Sequence, residues 1–217
     1  MESVPTLTAA SSFREAAGWF AALVAAVPVS AWDAPGLGTW SVRDLVGHTS
    51  RALSTVSEYL TEATGEADLS TTLDYYRVLA VGSGPDSVEL NASIAERGRR
   101  AGAQLGHDPY PVIHALCDRV VAQVEATDLK CLAGSRGGTI RLGDYLPTRT
   151  LELVVHGLDL ERALRIVGVG DLPEAPDGAM DDALSLLVGL AVAGSQTASL
   201  IMALTGRGGV PEGYSVL

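Results

Sequence analysis

Glu152 and His156 stand in a Glu-x-x-x-His spacing. On a helix, residues four apart stack on one face, one turn from each other. A carboxylate and an imidazole so placed can bind one divalent ion. His48, seven residues beyond Ser41 in an earlier helical segment, offers a third donor. Two histidines and one carboxylate leave at least one coordination position for water or substrate. That is the pattern of catalytic rather than structural zinc. The same donor set is also the facial triad of non-haem iron, so donor type leaves the metal open. The competing reading is that all three are core groups satisfied by ordinary hydrogen bonds.

Neighbouring residues extend both readings. Arg149, three before Glu152, either anchors a substrate carboxylate or pairs with Glu152. Asp159, three after His156, either accepts the second N–H of a ligand imidazole or is a helix-surface charge. His107 lies in a turn before a helix, and His114 reads as structural. Cys117, three after His114, makes a His-x-x-Cys pair that lacks the second pair a zinc site needs. No Gly-x-Ser-x-Gly supports a serine nucleophile. Residues 134–138 are Gly-rich but no Lys-Ser/Thr follows, so no phosphate loop is present.

The elements that must carry these residues are helical. Phe13, Ala16, Ala17, Phe20, Val24 and Val27 repeat at helical spacing, and Pro28 ends that segment. Ser41 with Asp44 forms a capping box, followed by the stripe Val42, Leu45, Val46, Thr49, Leu53, Val56 and Leu60. Gly47 beside His48 would let a neighbouring helix backbone approach. Residues 61–87 read mostly as connection with room for a short helix, long enough to form a lid or pocket wall around Tyr75 and Tyr76. A third helix is expected over 88–105 with a polar face at Arg97, Arg99 and Arg100. Asp108-Pro109 starts another, with the stripe Val112, Leu116, Val120 and Val124. Residues 134–143 read as a loop with a short extended piece at 139–142. The helix over about 144–167, with Pro147 in its first turn, is apolar on two sides and expected to be deep; Leu158 is one of its core residues. A last helix spans about 176–206. No segment alternates with a period of two over strand length. The expected fold is all-α, an antiparallel four-helix bundle with additional short helices.

Composition removes other classes. The net charge is −11, with Lys130 the only lysine, so the cationic footprint of nucleic-acid binding is missing. Two cysteines cannot build a disulfide scaffold. Residues 183–204 carry no charge, but their serines, threonine, glutamine and glycines fit a bundle helix or a homodimer face better than a membrane span. The start, with Glu2 and no basic residue before the first helix, is unlike a secretory signal, so the expected location is the cytoplasm with reduced cysteines.

Two motifs carry a resemblance. They are Gly38-Thr39-Trp40-Ser41-Val42-Arg43-Asp44-Leu45-Val46-Gly47-His48 and Thr148-Arg149-Thr150-Leu151-Glu152-Leu153-Val154-Val155-His156-Gly157-Leu158-Asp159-Leu160, supported by Leu204-Thr205-Gly206-Arg207. In these the chain resembles the mycothiol-dependent maleylpyruvate isomerase family, within the DinB-like metal-binding bundles. The resemblance implies one DinB-like domain over 1–217, without the family's further C-terminal domain. It implies His48, Glu152 and His156 as ligands of a divalent metal, zinc by expectation, with mycothiol as cosubstrate. The expected activity is thiol-dependent S-transfer to, or isomerisation of, a small electrophile. The alternative is a non-catalytic metal-binding bundle acting as a stress or interaction module.

Overall fold

The structure is a computed structural model that describes residues 8–62, 65–81, 87–210 and 214–217. The reading of the extreme N-terminus falls almost wholly outside those residues. Among the described residues eight helices form: α1 (Ala9–Ala25), α2 (Val42–Glu62), α3 (Thr72–Val81), α4 (Ser87–Gln104), α5 (Pro109–Glu125), α6 (Leu142–Ile166), α7 (Asp177–Ala193) and α8 (Thr197–Leu204). A two-stranded antiparallel ribbon, β1 (Leu132–Ala133) and β2 (Ile140–Arg141), closes the loop before α6. The chain is thus an all-α bundle.

Its centre is a ring of four helices, in which α1 and α2 each pack on both α5 and α6. The pairs run antiparallel. Arg14 at the start of α1 meets Glu125 at the end of α5, and Cys117 of α5 lies against Ala17 of α1. On the other side, Tyr145 near the start of α6 meets Thr55 and Tyr59 late in α2, while His156 meets His48 early in α2. The outer helices α4 and α7 cover α2 and α6 respectively.

Local sequence explains the starts. Thr8 caps α1, accepting the Ser11 amide at 3.3 Å. The box before α2 forms in both directions: Asp44 N–H donates to Ser41 Oγ at 3.2 Å and Ser41 N–H to Asp44 Oδ2 at 3.1 Å. Burial of Phe13, Phe20, Leu23, Leu45, Leu53, Tyr145, Leu151 and Leu153 then supplies the core.

The segment after α2 carries the short helix for which its sequence left room, the ten-residue α3, whose Tyr75 is buried. Three expectations are corrected. The buried stripe of α5 is Ile113, Cys117, Val120 and Val124, with Val112 exposed, because the packing of α5 against α1 turns it one residue round from the expected face. Helix α6 begins two residues earlier than expected, so Pro147 falls inside it, and Leu158 faces out. The last helix is two: Gly194 ends α7, Ser195 takes a left-handed φ of 59°, and α8 restarts at Thr197. Among the described residues no helix is long and apolar enough to cross a membrane.

Candidate metal centre

His48 comes from α2 and Glu152 and His156 from α6, brought together because those helices run antiparallel. Their potential ligand atoms all lie within 4.8 Å of one another. His156 Nε2 stands 3.6 Å from Glu152 Oε2, and the two imidazole rings meet edge-on with centroids 4.8 Å apart. Donors about 2.0–2.2 Å from a tetrahedral zinc would sit about 3.4 Å from each other. The Glu152–His156 pair is already near that spacing, and side-chain rotation covers the rest. The donor set therefore fits a divalent ion. Behind it, Asp159 Oδ2 lies 3.0 Å from His156 Nδ1, which leaves Nε2 turned toward Glu152.

Two close backbone approaches place these side chains. A methyl group at Gly47 would lie 2.5 Å from Gly102 Cα and 2.7 Å from Ala101 C, so α2 and α4 touch backbone to backbone next to His48. The expected approach at Gly47 is therefore made by α4. A methyl group at Gly157 would lie 2.8 Å from Trp19 Cη2, so α1 closes on α6 next to His156. Trp19 is held there by its own bond from Nε1 to Pro173 O at 3.0 Å. Trp40 packs on the His48 ring at 4.6 Å and donates to Ala95 O of α4 at 3.1 Å, which fixes the imidazole from the other side.

Electrostatics divide the three residues. Burial and the neighbouring His156 charge hold the His48 pKa well below the usual histidine value. Burial works against ionisation of Glu152, but the His156 hydrogen bond and Arg149 overcome it and keep the carboxylate anionic. Burial also opposes a charge on His156, yet hydrogen bonds to Asp159 and Glu152 raise it to about 9. The centre thus holds one neutral and one protonated imidazole around an anion at neutral pH.

Arg149 forms no direct pair with Glu152. Its guanidinium lies 5.0 Å over the Tyr145 ring, with Nε donating to Thr148 Oγ1 at 2.9 Å and Nη2 to Tyr75 OH at 3.3 Å. Its charge still acts on Glu152 through space. Tyr75 and Tyr76 of α3 form the wall on this side, with rings perpendicular at 5.3 Å. Arg51, Arg97 and Arg136 act on one another through space. Burial and the other two charges lower the Arg97 pKa, and both Arg51 and Arg97 act on His48. Among the described residues none of the three has a carboxylate partner within ion-pair distance, whereas Arg99 and Arg100 pair with Glu96 at 3.7 and 3.8 Å. Arg97, the third residue of that polar face, donates to Ser93 Oγ at 2.8 Å. Arg51 was legible as the residue one turn after His48; Arg136, from the ribbon loop, carried no such signal.

The remaining candidates stay outside. His107 is exposed in its turn, and His114 is exposed and paired with Asp118, one turn on, at 3.0 Å. Cys117 is buried with its thiol pushed up to about 12, and Cys131 is exposed; both are free.

Residues 13–161 match the family model described as the mycothiol maleylpyruvate isomerase N-terminal domain. Among curated proteins and solved structures nothing matches.

Proposed function

The chain belongs to the mycothiol maleylpyruvate isomerase N-terminal domain family, and from that premise we propose that it is a divalent-metal-dependent enzyme acting on a small electrophile with a low-molecular-weight thiol, mycothiol. The observation that carries the reading is the gathering of His48, Glu152 and His156 into one cluster from two helices distant in sequence. These three residues would hold the metal, with zinc favoured because a thiolate is a soft ligand. When bound, the ion supplies an open position at which a thiol loses its proton and becomes a nucleophile. Asp159 fixes the tautomer and orientation of His156. Glu152 contributes the negative charge that balances the cation. Arg149, held over Tyr145, is placed to anchor a carboxylate of the substrate, and Arg51, Arg97 and Arg136 offset the −11 charge of the chain where an anionic electrophile would enter. Both S-transfer and isomerisation begin with the same thiolate addition. The cytoplasm, where low-molecular-weight thiols are kept reduced, is the proposed location.

Elemental analysis of the protein as isolated tests the metal. One equivalent of zinc is expected, with His156→Ala losing it while helical content is retained. Absence of stoichiometric metal even after reloading would falsify the proposal. The cobalt-substituted protein tests the thiol: mycothiol should change its absorption spectrum by ligating the ion. A loaded protein whose spectrum no thiol alters would instead be a metal-holding module.

A further inference from the structure

Helix α8 reads Thr-Ala-Ser-Leu-Ile-Met-Ala-Leu, and none of its residues is buried. Its main packing within the chain is on α7. A helix of eight residues is unstable in water by itself, so α8 needs a surface to lie on. The way it leaves α7 is nevertheless fixed. Ser195 takes the left-handed φ of 59°, a strained conformation for a residue other than glycine. Gln196 N–H donates to Ala191 O at 2.8 Å, and Gln196 Nε2 donates to Ser215 O at 3.1 Å.

Helix α7 carries the matching feature. Leu184, Val188 and Val192 repeat every four residues and form one stripe, on the face turned from the buried Ala179, Ala183 and Leu190. These three and Ile201, Met202 and Leu204 of α8 are each between 37% and 71% exposed. Together they leave about 500–600 Å² of apolar surface, as much as the largest patch on a typical monomer. Covering it on two copies buries about 1,000–1,200 Å², which reaches the lower bound for a specific interface. Charge selects the occupant. Helices that lie on membranes present Lys and Arg beside the apolar face. Here Asp181 and Asp182 precede the stripe, Arg207 is the only basic residue after Arg165, and the chain carries −11, so an anionic membrane repels it. A second copy instead supplies an uncharged helix and an uncharged stripe in equal number, as two-fold pairing requires. We infer that α7 and α8 join two copies of this chain, with α8 of each protomer laid on the α7 stripe of its partner. Neither metal nor thiol is needed for this pairing.

Sedimentation equilibrium of the full chain tests it. At micromolar concentration the parent should have the mass of two 22.5 kDa chains. Added salt should tighten the pair by screening the −11 charge of each copy. Val188→Asp and Ile201→Arg each place one unpaired charge in both junctions, and each should weaken association at least about a hundredfold. Helical content by circular dichroism should stay that of the parent, because both side chains are exposed in the single chain. Val29→Asp, at an exposed position between α1 and α2, should change nothing. Mixing the Val188→Asp and Ile201→Arg variants should restore association. One junction of the mixed pair is then free of both substitutions, and the other brings opposite charges together. A monomeric parent overturns the inference, whether it stays free or sediments with phosphatidylcholine–phosphatidylglycerol vesicles. A dimer that either substitution leaves intact, or a mixture that remains monomeric, overturns the exchange of α8 as well.

Discussion

Gly47→Ala offers a test of sign as well as size. In an exposed helix interior, alanine is better than glycine by about 1 kcal/mol. Gly18 of α1 meets that condition: it is exposed, and a methyl group there finds nothing within 4 Å. Gly18→Ala should therefore stabilise by about 0.5–1 kcal/mol. At Gly47 the methyl would lie 2.5 Å from Gly102 Cα, where non-bonded carbons need about 3.5–4.0 Å. The obstruction is backbone, so no rotamer change relieves it, and α2 and α4 must separate by about 1 Å. Overpacking of this kind costs up to about 3 kcal/mol. Less the helix-propensity gain of about 1, the variant should lose about 2 kcal/mol. For a chain of this size that is a fall in Tm of about 4–8 °C. Urea denaturation of the two variants beside the parent measures it. If Gly47→Ala proves as stable as Gly18→Ala, the backbone contact does not position His48.

Three further outcomes follow from the centre itself. His156 is charged in partnership with Asp159 and Glu152, and its folded pKa, about 9, lies above the ordinary value of about 6.5; its contribution to the stability of the metal-free protein is full below pH 6.5 and is lost as pH rises through 9. His48 has the opposite sign: its depressed pKa gives a contribution present above pH 6.5 that is lost as pH falls below it. Metal-free unfolding should accordingly be most resistant near neutrality, and His156→Gln should flatten the alkaline limb; a limb unchanged by that substitution excludes His156 as its cause. Because His156 is protonated at pH 7, metal loading should release about one proton, which buffer-dependent calorimetry detects. Asp159→Asn should weaken zinc by about 10–100-fold through loss of the acceptor on Nδ1, and competition with a chromophoric chelator showing no change would reduce Asp159 to a surface charge.

Much of the bundle was readable because its information is local. The box at Ser41 and Asp44 and the apolar stripes of α1 and α2 are written within one or two turns, and each is seen in the structure. The stacking of Glu152 and His156 is likewise local, and Gly47 signalled its own close approach without naming α4. What was not readable depends on partners. A one-residue rotation decides whether Val112 or Ile113 enters the core, and only the packing of α5 against α1 fixes it. The break at Ser195 lies in a run of small residues with uniform apolar character, where helix and turn cost nearly the same. Arg51, Arg97 and Arg136 come from α2, α4 and the ribbon loop, and the buried, unpartnered hydroxyl of Tyr76 exists only relative to neighbours it fails to bond. No spacing rule reaches across such distances.

The contact between Gly47 and Gly102 has a consequence for how this scaffold can change its chemistry. Helix separation beside His48 is set by main-chain atoms. Replacing the donor at position 48 with Asp or Cys therefore exchanges ligand hardness while the strut that carries it stays in place. If the proposed centre holds a metal, its preference becomes a property separable from folding, set by a single projecting group.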